Sequence, residues 1–201
     1  MSNNQNYTPA YLIACADLHH LDFIASSFTK SAELLLQNSN SSEHSQSFHL
    51  LVSVAFELFP KVMIACDVCM LNENNINMTE GQIRELVNKE MRKAGHGLDK
   101  LLMRYPGLLE KMKIEEINKI PDNNSNSEER FVSEYQIKLR DNPYIISIKD
   151  VEAVRYGSFS SNRDIMLDCT QDEKLLNLLI ALRDYSREYV QSQINNMRSV
   201  I

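Results

Sequence analysis

The chain has 201 residues, a length that fits one domain and suffices to bury a sizeable core. Hydrophobic residues make up 43% of it and charged residues 24%, and five glycines with five prolines are too few for a turn-rich β architecture, so helices are expected. A formal net charge of −6 excludes any wholesale attraction to nucleic acid and leaves that contact to a local basic patch.

The polar start from Met1 to Asn6 has no signal-peptide pattern, and the four cysteines then read as free thiols in a reducing, cytoplasmic compartment. From Tyr11 to Gln37 the residues Ile13, Ala16, Phe23, Ile24, Phe28, Leu34 and Leu35 recur at three-to-four spacing, which predicts a first helix. His20 falls on that stripe and is expected in the core, while His19 and His20 together would hold a metal only with partners from elsewhere. Asn38 to Ser42 has side chains that compete for backbone hydrogen bonds, so it reads as a connection.

A second helix is predicted from about Ser45 to Leu71, apolar nearly all round and therefore central, with a kink or break near Phe56 to Pro60. It is no membrane span, because Glu57, Lys61 and Asp67 would each cost about 2.5 to 3.5 kcal/mol near mid-bilayer. Thr79 and Gln82 form a capping-box pattern that opens a third helix, continued by Ile83, Leu86, Val87, Met91 and Ala94 and stopped at Gly95. Leu98, Leu101, Leu102 and Tyr105 restart helical spacing up to Pro106, and Leu108 to Ile120 is expected to add another helical segment.

Residues 121–128 have the composition of a flexible exposed loop. Between 131 and 159 the helical period is lost, and Tyr144 to Ile148 and Val151 to Tyr156 predict short strands or an irregular cover. Helical period returns from Gln171 to Met197 with Leu175, Leu178, Leu179, Leu182, Tyr185 and Tyr189 on one face. The whole reads as a single domain over 1–201, an antiparallel helical bundle with a short β insertion.

Three short constellations carry chemistry. Glu57 and Lys61 lie four apart on a face shared with Leu50, Val54, Ile64 and Val68, so they are expected to pair, either as a packing device or as the wall of a cleft. Gly95-His96-Gly97 places an imidazole before a helix start, either to cap it or bridge to Glu57, or to meet a ligand. Arg155 and Tyr156 precede Gly157 as a loop anchor or a ligand clamp. Cys66 and Cys69 share a helical face, but no second pair completes a zinc site, so they read as core thiols. No phosphate loop, dinucleotide motif, nucleophile elbow or His-Glu-x-x-His is present, and neither a cofactor nor a metal is expected.

Taken in order, these motifs resemble the HEPN family, whose members pair a helix bearing glutamate and lysine one turn apart with a following Gly-His-x-Leu helix start and often a later Arg-Tyr. The likeness covers about Ser45 to Tyr156. It implies an HEPN-like helical bundle that forms a homodimer through its long helices, in a bacterial toxin-antitoxin or defence setting, with RNA, a nucleotide or an antitoxin-type protein as partner. The cleft it implies is formed by Glu57, Lys61, His96, Arg155 and Tyr156.

Active ribonucleases of that family carry arginine, four to six intervening residues, then histidine, placed across the dimer. Here Arg92 precedes His96 with three between, and Lys89 stands at six, without the planar fork of arginine. The expectation is therefore an accessory, non-catalytic domain. A divergent metal-independent ribonuclease using Arg92 and His96, and a purely structural bundle, are the alternatives.

Overall fold

In a computed structural model, the protein is described over residues 7–38, 45–121, 132–141, 145–149 and 171–199. Among these, six helices and a three-stranded sheet occur: α1 Pro9–Asn38, α2 Ser45–Leu71, α3 Glu80–Ala94, α4 Leu98–Met103, α5 Pro106–Lys111, β1 Ile114–Pro121, β2 Val132–Leu139, β3 Ile145–Lys149 and α6 Asp172–Ser199. The protein is thus mostly helical, but with a sheet that begins well before residue 131. No helix of the described residues is long and apolar enough to cross a membrane.

The central element is α2, which touches α1, α3, α4, α6 and β3. Phe48, Val52, Phe56, Phe59 and Met63 put one long apolar face into the main core, and Ala65, Cys66, Val68 and Cys69 continue it into a second cluster with α1 and α3. The helix runs unbroken through Pro60. Beside that proline, the buried Ser186 hydroxyl of α6 donates to the Phe59 carbonyl at 3.3 Å.

Helix α1 faces the core with part of the predicted stripe, since Ile13 is buried and Phe28 and Leu35 pack against the main cluster, and with a run of small residues that was not predicted. Ala10, Ala14, Leu18, Ala25, Thr29 and Ala32 are buried, while Phe23 is 68% and Leu34 46% exposed, and Ala16 and His20 are exposed too. Small residues let α1 lie close against α2, and that close approach decides the inward face over side-chain bulk.

Helix α3 begins as predicted, since the Gln82 amide donates to Thr79 Oγ1 at 3.3 Å and the Thr79 amide to Gln82 Oε1 at 2.8 Å. It ends at Gly95, whose φ of 70° is a left-handed conformation that disfavours a Cβ.

The predicted helical segment from Leu108 to Ile120 is instead α5 followed by β1. Ile114, Ile117 and Ile120 are spaced like a helix, but β1 has a register shift between Ile114 and Glu116 against β2, so an extra residue brings Ile114 and Ile117 to the same buried side. The sheet is antiparallel in the order β1-β2-β3, and Tyr135, Ile137, Ile146 and Ile148 join the main core. The predicted strand at Tyr144 to Ile148 corresponds to β3, whereas Val151 to Tyr156 and most of the 121–128 loop lie outside the described residues.

A polar network ties β2 to β3. Glu134 accepts from Lys149, and from Gln136 at 3.0 Å and Ser147 at 3.4 Å. Burial opposes charge on Glu134, yet these donors outweigh it and hold the carboxyl below its ordinary value of 4.5. A carboxylate depressed in the folded state contributes stability that is complete above its unfolded pKa and lost as pH falls through the folded one. Glu134→Gln is therefore expected to flatten the acid limb of stability below about pH 4.5, read as urea midpoints across that range. An acid limb as steep as wild type counts against this network.

Candidate functional site

Helical spacing sets Glu57 and Lys61 one turn apart on α2, and the two pair with Lys61 Nζ 2.5 Å from Glu57 Oε1. Their side chains are only 13% and 14% exposed, so neither charge is free to find water instead. The chain end of α3 supplies the third member. After the left-handed turn at Gly95, His96 reaches back so that its Nδ1 lies 2.8 Å from the same Glu57 oxygen.

An ionised carboxylate only accepts, so Nδ1 carries the proton and the other ring nitrogen, Nε2, is left unheld by Glu57. The His96 side chain is 62% exposed. One carboxylate thus positions both a lysine and a histidine at the surface where α2 meets the end of α3.

On one side of this trio, a space of about 10 Å³ lies between α2 and the sheet, bounded by Ser53, Glu57, His96, Tyr135 and Lys149. It is large enough for one water molecule. The Ser53 hydroxyl donates to the Lys149 carbonyl at 2.6 Å and fixes the sheet beside the site.

On the other side is a groove of about 270 Å³ whose rim carries Lys61, Asn88, Arg92 and His96. Its floor is Leu21 of α1, Leu58 and Val62 of α2, and Met91 of α3. The Arg92 guanidinium makes no hydrogen bond or ion pair among the described residues, and neither does the Asn88 amide. The groove therefore offers one unpaired planar cation, an unpaired amide, a half-exposed imidazole and an apolar floor.

Of the residues singled out in the sequence, Glu57, Lys61, Arg92 and His96 are brought together, with Arg92 and His96 on one groove despite the interruption at Gly95. Arg155 and Tyr156 lie outside the described residues. The floor residues and Asn88 escaped sequence reasoning because each looks like an ordinary helical position. Only the short side chain of Asn88 in the middle of α3, a poor helix former on an exposed face, gave a signal.

A second, partly buried polar cluster was also missed. Asp67 accepts from the Tyr105 hydroxyl at 2.8 Å and from the Tyr189 hydroxyl at 2.5 Å, joining α2 to α6 and to the turn before α5. Burial and the Asp67 charge push both phenols well above their ordinary value, so they act as hydrogen-bond donors. Burial likewise pushes the Cys66 and Cys69 thiols up to about 12, which leaves them packed hydrophobes and not nucleophiles.

No family model, curated protein or solved structure matches this chain.

Proposed function

We propose that the chain is an HEPN-like accessory domain that binds a phosphate-bearing ligand, a nucleotide or RNA, at the groove rimmed by Lys61, Arg92 and His96. The observation that carries this reading is the Arg92 guanidinium, unpaired among the described residues and set beside the Glu57-held His96. A planar guanidinium matches two phosphate oxygens at once, and a lysine beside it, with the imidazole once both its nitrogens are protonated, adds donors to the same anion. The family resemblance adds the toxin-antitoxin or defence setting.

The same proposal includes a homodimer through the long helices. Leu12, Phe23 and Leu34 are 41%, 68% and 46% exposed, and their eleven-residue spacing keeps them on one outer face of α1.

The second reading, a divergent ribonuclease, draws on one feature: Glu57 holds Nδ1 of the exposed His96 ring and leaves Nε2 unheld, the arrangement a general acid or base needs. Against it stands the spacing of Arg92 to His96.

The proposal is tested by titrating labelled single-stranded RNA and mononucleotides with wild type and Arg92→Ala. Removing one charge-assisted contact is expected to weaken binding by about tenfold to a hundredfold. Because Arg92 has no ion pair to lose among the described residues, stability should stay within about 0.5 kcal/mol. Equal binding by both proteins, or no binding by either, refutes the groove as a phosphate site.

A further inference from the structure

We propose that the groove takes one adenine nucleotide, its base against the apolar floor, its amino edge read by Asn88 and its phosphate on Arg92 and His96. This deepens the phosphate-binding reading above and rests on it. The first ground is size. About 270 Å³ falls just under the roughly 300 Å³ at which small-molecule sites commonly begin, so the groove has room for no more than one nucleotide unit and a run of strand does not fit.

The second ground is the floor. Leu21, Leu58, Val62 and Met91 give aliphatic and thioether contact, and among the described residues no phenylalanine, tyrosine or tryptophan ring lines the groove. Sites that track a single strand stack successive bases on aromatic platforms, which this groove lacks. A single base buried against aliphatic side chains needs no such platform.

The third ground is the polar complement. A carboxamide presents a donor beside an acceptor, which matches the N6 amine and N7 of adenine. Guanine offers two acceptors on that edge, and uracil has no amine. The Asn88 side chain makes no hydrogen bond among the described residues, so its carboxamide is available for this work. Lys61 is already committed to Glu57 at 2.5 Å, which leaves Arg92 as the principal partner of the phosphate.

The experiment is calorimetric titration of the full chain with AMP, GMP, CMP and UMP, and with a 5′-phosphorylated oligoadenylate of about six units. AMP is expected to bind at least about tenfold more tightly than GMP or UMP, with CMP, whose amine also adjoins an acceptor nitrogen, between them. Asn88→Ala is expected to bring the AMP-to-GMP ratio close to one, while Arg92→Ala weakens all four nucleotides. Oligoadenylate that binds while AMP does not overturns the single-nucleotide proposal and leaves the phosphate site standing. Four nucleotides bound alike overturn the role of Asn88, and no binding by any probe removes the phosphate reading as well.

Discussion

Glu57→Ala is expected to cost about 3 to 5 kcal/mol of stability, because it leaves the Lys61 ammonium largely buried and unpaired. The loss comes from the stranded cation and not from any unusual strength of the pair. Replacing both partners, Glu57→Leu with Lys61→Met, removes the stranded charge and should bring the urea midpoint back to near that of wild type. Binding separates a packing device from a cleft. If the pair serves only packing, the double variant binds AMP and RNA as wild type does. The proposed function predicts that it loses at least about tenfold, since His96 then has no carboxylate to hold its ring and the rim loses Lys61.

The pairing behind this prediction was legible because it is local. Residues four apart on a helix are neighbours whatever the rest of the fold does, and an apolar setting forces opposite charges there to meet. The return of His96 to Glu57 was legible as one of several roles, because a glycine on either side allows the chain to reverse. Distant pairings carried no such signature. Asp67 meets tyrosines far along the chain, and in the sequence it reads only as a charge that argues against a membrane span.

Two elements were misread for identifiable reasons. In α1 Ile13, Phe28 and Leu35 turn toward the core as predicted, but close approach to α2 also selects the alanines at 25 and 32 and leaves the bulky Phe23 and Leu34 outside. In β1 the three-residue spacing of Ile114 and Ile117 imitates a helix, because the bulge adds a residue to a pattern that would otherwise repeat every two. Sequence periodicity reports which residues are apolar. It does not report a bulge, whose cause is pairing with a strand not yet placed.

Purified protein is expected not to cleave single-stranded RNA through His96, with chelator present because the chemistry at issue is metal-free. The histidine itself is well prepared, since Glu57 holds Nδ1 at 2.8 Å and the ring is 62% exposed. What the site lacks is an arginine at the spacing of the resembled ribonucleases: Arg92 stands on the final turn of α3 with only three residues before His96, and Gly95 redirects the chain between them. A misplaced cation matters because stabilising charge on a pentacovalent phosphorus depends on donors that meet its oxygens in the transition state. The comparison is wild type against His96→Ala at matched protein concentrations, with melting temperatures recorded for both. Cleavage by wild type that falls more than about tenfold in the variant, roughly 1.4 kcal/mol of transition-state stabilisation, replaces the accessory reading with the nuclease reading. If both are silent and His96→Ala binds AMP more weakly at an unchanged melting temperature, the histidine serves the ligand. If both are silent and only the melting temperature falls, the Glu57 to His96 bond is a device for seating the end of α3 on α2.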